Sequence, residues 1–323
     1  MYDICAIGDI LIDYVPAADY RPDAPVYQMK TGGTMVNLAA ASAKLGMNTL
    51  FVGKVGRDFM GRFILDELAG LGVDVRHCPE DPVHPTTQAF VSLSADGERS
   101  FSFARRFGAD IFLDKEDLPM GQTLSSAMLC FSGMCLTDEP IKSSVRYAVS
   151  KAAERGVPIA FDLNYRPGLW RDEASVKKAV APLLPLIDIY KSSDDELYLV
   201  TGEKDFKAAA KKLAAYGCRL IVSTKGNHGA EYYYLGHTGR APAFNVPVVD
   251  TTGAGDCFFA ALLYQVNLSG GLESLEAAHL DRMIAFANAA GSLATTKKGG
   301  VASAPALAEI GRCLTDYNTI DFY

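Results

Sequence analysis

Between positions 250 and 256 the sequence reads Asp-Thr-Thr-Gly-Ala-Gly-Asp, and these residue types at this spacing can hold and move a phosphoryl group. Glycines at 253 and 255 allow a sharp turn and leave the backbone N–H groups of residues 253–256 uncovered. An apolar stretch of helical character follows, Phe258 to Val266, so the turn opens a helix whose dipole favours an anion at that end. A phosphate fits there, with Gly253, Ala254 and Gly255 as its anion hole. Asp256 then sets a carboxylate beside a site built for negative charge. It is either a proton acceptor for whatever attacks the phosphate or a cap for the helix. The dipole is expected to favour the ionised carboxylate, which makes Asp256 a weak base. The β-branched residues ahead of the turn, Val248-Val249, are expected to end a strand.

Other polar residues sit where a site could use them. Asp9 and Asp13 fall on an expected first strand, Asp3 to Asp13, and share one face of it. Two carboxylates at a strand's end either accept hydroxyl protons from a polyol or are solvated charges. Asn37 lies in the first turn of a helix expected over Thr34 to Leu45 and stopped by Gly46, next to the Gly32-Gly33 turn. Arg105-Arg106 either reach a sugar or phosphate or form a solvated pair. Asp162-x-Asn164-x-Arg166 follows an expected strand, Ser193-Asp-Asp-Glu196 opens a helix as a capping box does, and Thr224-Lys-Gly226-Asn-His-Gly229 forms a glycine turn.

The elements that position these residues alternate. From Leu124 onward strands (Ala127–Ser132, Pro158–Asp162, Ile187–Lys191, Leu220–Thr224) and helices (Glu139–Arg155 among them) follow in turn. That rhythm predicts an α/β fold, a doubly wound, mostly parallel sheet flanked by helices, with its sites at the carboxyl ends of strands. Two stretches break the rhythm. Residues 14–31 carry three prolines, and residues 86–106 read as a hairpin about Asp96-Gly97.

The 250–256 run resembles the C-terminal signature of the ribokinase-like (PfkB) carbohydrate kinases. Gly32-Gly33-x3-Asn37, followed by Gly53-x2-Gly56-x-Asp58-x2-Gly61, resembles their N-terminal signature. The resemblance extends from Asp3 to about Pro305. It implies a single ribokinase-like α/β domain over residues 1–323, with the excursions at about 14–31 and 86–106 joined into a small antiparallel β lid that covers the sugar and serves as a homodimer contact. Asp256 is implied to be the catalytic proton acceptor. Sugar contacts are implied at Asp13, Gly32, Gly33, Asn37, Arg106, Arg166 and Asp256. Nucleotide contacts are implied at Asn164, Ser193, Thr224, Gly226, Gly229, Gly253, Gly255 and Asn288. The resemblance further implies ATP and Mg2+, the latter held by Glu196 through water, and K+ near Asp250, Thr252, Gly300 and Ser303. Ser193 departs from the asparagine usual at its place. The segment Phe161 to Trp170, with Pro85 to Phe103, is most similar to bacterial fructokinases, implying D-fructose as acceptor and fructose 6-phosphate as product. A 2-keto-3-deoxygluconate kinase, a ribokinase or a nucleoside kinase is the alternative within the family; an inactive sugar-binding regulatory protein is the alternative outside it.

Composition sets the remaining bounds. A chain of 323 residues with 49% hydrophobic residues can bury a large core. A formal charge of −7 disfavours nucleic acid or an anionic membrane as partner. The seven cysteines include no C-x-x-C pair, and no apolar run reaches about 18 residues, so reduced thiols in the cytoplasm are expected. Cys257 is expected to be a core cysteine. Neither a Gly-x4-Gly-Lys-Ser/Thr loop nor a Gly-x-Gly-x-x-Gly fingerprint is present, which sets aside P-loop enzymes and disfavours dehydrogenases.

Overall fold

A computed structural model of the chain describes residues 1–17, 20–21, 23–93 and 99–316. In chain order the strands are β1 (Ile4–Ile7), β2 (Leu11–Pro16), β3 (Tyr27–Gly32), β4 (Thr49–Val52), β5 (Val55–Gly56), β6 (Glu80–Asp81) and β7 (Thr87–Leu93). They continue as β8 (Arg99–Ala104), β9 (Leu129–Ser132), β10 (Ile159–Asp162), β11 (Ile189–Ser193), β12 (Leu220–Thr224), β13 (Ala230–Tyr234) and β14 (His237–Ala241). The large sheet has the order β14-β13-β12-β11-β10-β9-β1-β4. Its six strands from β12 to β4 run parallel, and β13 and β14 finish it as an antiparallel edge.

Every residue of β1, β4, β9 and β10 is buried, as expected for parallel strands covered on both faces. The strands divide their side chains by parity. Ile4, Ala6, Cys130, Ala160 and Ile189 pack with the helices Thr34–Lys44, Ala254–Leu268 and Leu280–Ala294. Cys5, Leu129, Phe131, Phe161 and Tyr190 pack on the other face with the helices Ile141–Glu154 and Phe206–Ala214. Burial of these two layers is the main stabilising contribution, at about 25 cal/mol per Å² of apolar surface.

The expected first strand is two strands. It breaks at Gly8–Ile10: β1 belongs to the large sheet, whereas β2 enters a second, four-stranded sheet of order β3-β2-β7-β8. Gly8 permits the crossing, because a Cβ there would lie 2.6 Å from Cys135 Sγ. Asp9 fixes it, accepting from Thr34 N–H (2.5 Å) and Ser132 Oγ (2.9 Å). The small sheet therefore begins at Leu11 rather than residue 14, and Asp9 and Asp13 do not share a strand face. Its outer pairs β2–β3 and β7–β8 are antiparallel, and its central pair β2–β7 is parallel. The turn about Asp96-Gly97 lies outside the described residues. Asp58 joins the layers: it caps the helix Phe59–Gly70 through Gly61 N–H (2.8 Å) and accepts from Thr86 N–H (2.8 Å) at the root of β7.

Val248-Val249 form no strand. Both are exposed, and the amides of Val249 and Asp250 donate instead to Thr295 O at 2.8 and 3.0 Å, which draws the segment past the sheet's end toward the 254 helix.

Candidate active site

A cavity of about 800 Å³ lies between the small sheet and the carboxyl ends of β10, β11 and β12. On one side it is walled by Leu11, Asp13, Phe103 and the first turn of the 34–44 helix; on the other by residues 248–256. Asp256 faces into it from the first turn of the 254–268 helix and is 7% exposed.

Asp256 is not the helix cap. That position belongs to Gly253, at φ 80°, a left-handed conformation that glycine adopts without a Cβ clash. The Asp256 oxygens turn instead toward other elements, with Asn37 Nδ2 donating to Oδ2 (2.8 Å) and Asn164 Nδ2 approaching Oδ1 (3.4 Å). Asn164 holds a φ of 39° and also donates to Thr34 Oγ1 (2.8 Å), so its amide is set by a contact of its own. Burial pushes the Asp256 pKa up, outweighing Lys191, the Asn37 hydrogen bond and Arg166, which pull it down. The expected weak base is thus corrected: desolvation dominates, and the carboxylate is a stronger base than a free aspartate.

By helix geometry the first amides of the 254–268 helix have no carbonyl partner within the helix. Gly253 and Gly255 line the cavity with them, and Ala254 lies between, its N–H on Thr251 O (3.3 Å). Lys191 is a residue that sequence reasoning missed. It lies within the buried run of β11, its Nζ bonds Asp162 Oδ2 at 2.7 Å, and a Cβ on Gly255 would lie 3.0 Å from that Nζ. Burial opposes its charge, but Asp162, Glu196 and Asp256 together hold the Lys191 pKa above the ordinary lysine value. In sequence it is marked only as a charge after the apolar start of β11, two residues before the Ser193 capping box; its role follows from the neighbouring strand that brings Asp162 to it.

Asp13 and Gly33 line the cavity beside Asn37, whose Oδ1 is buried with no protein partner among the described residues. Burial raises the Asp13 pKa to about 7, against the pull of Arg166. Arg166 lines the cavity and donates to Tyr165 O (3.2 Å). Gly32 does not line it, and a Cβ there would collide with the Asp13 carboxylate. Ser193 and Glu196 line the cavity and cap each other's helix turn; Glu196 also accepts from Tyr165 N–H at 2.5 Å. Thr224 lines the cavity, whereas Gly226 (φ 54°) and Gly229 (φ 88°) lie behind it in the turn that follows. Asn288 is buried outside the cavity wall, donating to Ala241 O (2.9 Å) and Pro242 O (3.1 Å).

The arginine pair is corrected. Arg106 is exposed, sits 5.6 Å over the Phe107 ring and does not line the cavity. Arg105 is buried rather than solvated, with Nε on Asp110 Oδ2 (2.8 Å) and Nη1 on Met134 O (3.1 Å) and Thr137 Oγ1 (2.8 Å). Asp250 and Thr252 line the cavity, and the Asp250 carboxylate accepts from Thr252 N–H (2.7 Å) and Gly299 N–H (3.1 Å). Gly300 and Ser303 form the turn just beyond, closed by Ser303 Oγ on Gly300 O (2.7 Å). Cys257 is a buried core residue, its thiol pushed up to about 12 by burial.

The model of the pfkB family carbohydrate kinases matches residues 1–307. Fructokinase-1 of Zea mays is 34% identical over 310 residues, covering 95% of this chain and 96% of its own length. Among solved structures, fructokinase with bound ATP from Xylella fastidiosa superposes with a TM-score of 0.88 at 27% identity, over 98% of this chain and 100% of that one. Fructokinase from Vibrio cholerae O395, in a form with fructose, ADP and calcium ion bound, gives 0.87 at 31% identity, over 97% and 99%.

Proposed function

The chain belongs to the pfkB family of carbohydrate kinases, a phosphotransferase with an alcohol acceptor, and from that premise we propose that it transfers the γ-phosphoryl group of ATP to D-fructose, giving fructose 6-phosphate and ADP. The observation that carries this is the Asp256 carboxylate, released from helix capping and aimed into the cavity between the Asn37 amide and the Lys191 ammonium.

The sugar lies on the small-sheet side. Asp13 accepts from its hydroxyls, and Asn37 and Arg166 add polar contacts. Gly33 leaves room at the start of the helix. Asp256 orients the attacking 6-hydroxyl and takes its proton as the new O–P bond forms and the bond from the γ-phosphorus to the β-γ bridging oxygen breaks. In a loose transition state the proton leaves late, so orientation matters as much as basicity. The amides of Gly253 and Gly255 and the Lys191 ammonium face the charge on the transferring group. Thr224, with Gly226 and Gly229, forms the nucleotide turn, Ser193 and Asn164 flank the phosphates, and Asn288 holds the 241–242 backbone beside the base.

Glu196 fits a Mg2+ ion held through water, since one carboxylate with its remaining lone pairs facing a phosphate site suits an ion that keeps most of its waters. Bound there, the ion neutralises phosphate charge. A K+ ion would be held beside the Asp250 carboxylate, with Thr252, Gly300 and Ser303 adding oxygens; the bond from Gly299 N–H to Asp250, which ties the 300–303 turn to that carboxylate, supports this. The small sheet acts as a lid and a homodimer contact, and the enzyme works in the cytoplasm.

An ADP-release assay over hexoses, pentoses, sugar acids and nucleosides tests this. Turnover with fructose in clear excess over the rest is expected. A preference for a sugar acid or nucleoside overturns the acceptor, and no ADP release with any acceptor overturns the kinase.

A further inference from the structure

Residues 299–304 touch three parts of the site at once. Gly300–Ser303 forms one helical turn. At its start, Gly299 N–H is held by Asp250. A Cβ on Gly300 would collide with Asn37 Oδ1, and a Cβ on Gly253 would come within 3.0 Å of the Gly300 Cα. The stem of Lys30, on β3, lies alongside Gly299. The turn therefore backs the acceptor amide, the phosphate-binding turn and the small sheet together.

What holds its far end is Lys44. Carbonyls at the end of a helical turn have no donor of their own. Val301 O and Ala304 O both accept from Lys44 Nζ, at 3.4 and 3.0 Å. The neighbouring cation, Lys297, is engaged with Glu309 at 2.9 Å. Burial lowers the Lys44 pKa, and Lys297 adds to the effect, so the ammonium is placed there against its own solvation. Lys44 is the last residue of the 34–44 helix, and Asn37 stands in its first turn, about 10 Å away along the axis.

We infer that Lys44 is a positioning residue for the phosphoryl transfer proposed above: it fixes the 299–304 turn to the helix that carries Asn37 and so keeps Gly300 seated behind the turn at 253–255. One rigid helix then serves both substrates. Its first turn holds the acceptor side, and its last turn holds the wall of the phosphate side. The inference rests on the kinase function, but its geometry can be tested without turnover.

Lys44→Met keeps the aliphatic stem and removes the donors. On the full-length protein, hydrogen–deuterium exchange of the 299–304 amides should become about tenfold faster or more, as expected when a local tether is lost. The KM for ATP should rise by about five- to tenfold while the KM for fructose stays within about twofold, and Lys44→Arg should restore both. Lys44→Gln, which keeps one donor, provides a milder variant should the methionine protein fail to fold, with exchange about threefold faster. Unchanged exchange overturns the inference. So does faster exchange with an unchanged KM for ATP, because Lys44 is then a structural tether only. A wild-type protein that releases no ADP with any acceptor instead overturns the kinase function and leaves the exchange result standing.

Discussion

Asn37 Nδ2 donates to Asp256 Oδ2 at 2.8 Å across 219 residues of sequence, joining the first turns of two helices that pack side by side on one face of the large sheet. The bond favours the ionised carboxylate, whereas burial favours the neutral acid, and burial is the larger effect. Asp256 is thus held in one orientation and made more basic than a solvated carboxylate.

Replacing Asp256 by Asn keeps the shape and removes the acceptor charge. The expected loss in kcat is roughly 10² to 10⁴, the usual range for removing a general base. ATP binding, measured by calorimetry, should survive. Near-normal turnover with fructose would show that the carboxylate takes no proton.

The pH profile carries a sign. Only the deprotonated Asp256 accepts a proton, so kcat/KM should be lost as pH falls through a pKa above the free-aspartate value of about 3.9. Asn37→Leu removes a bond that pulls this pKa down, so its acid limb should move further toward neutral pH. A limb at pH 4 or below in the wild type, or one that does not move in the variant, contradicts the assignment.

Lys191→Met should lower kcat by about 10²-fold or more, as loss of one oxyanion-hole contact does. It also strands the buried Asp162 carboxylate, at a cost of about 3–5 kcal/mol in stability. The double variant Lys191→Met/Asp162→Asn separates the two effects. Its unfolding midpoint should recover while its turnover does not; recovery of turnover would make the lysine architectural.

Asp13 trades stability for binding. A carboxylate raised to about 7 on folding holds a proton that the unfolded chain has released. Stability is therefore lost as pH rises from about 4 to 7, at up to about 1.4 kcal/mol per unit of pKa displacement. Asp13→Asn should gain in Tm over the wild type at pH 8 and little at pH 4, yet bind fructose more weakly by about 1–3 kcal/mol. Equal Tm differences at both pH values would place Asp13 in contact with solvent.

Much of this was legible in advance because it is local. The 250–256 turn, the helix at 34 and the strand–helix alternation from 124 each follow from residues adjacent in sequence. What escaped depends on distance. Lys191 is visible only once β11 is known to lie beside β10, bringing Asp162 within 2.7 Å. Arg105 read as a surface charge because its partners Asp110, Met134 and Thr137 meet it in no regular period. The break after Ile7 escaped because Gly8-Asp-Ile interrupts an apolar run without an evident turn signal, and Val248-Val249 shows that β-branched residues do not make a strand where no neighbouring edge is offered.

The small sheet is fastened at two corners. Asp9, just ahead of β2, grips Thr34 and Ser132, and Arg105, just after β8, grips Asp110, Met134 and Thr137. A panel joined along its root bends rather than swings, and displacement grows with distance from the root. Asp13 sits only two residues beyond Leu11, opposite Ala89, close to this fastened root, whereas Tyr27 pairs with Pro16 at the far end of the strand. The anchors at Asp9 and Arg105 thus set Asp13 against Asn37 and Asp256 from the large sheet's side, so the spacing of these three groups is fixed by the same contacts that join the two sheets.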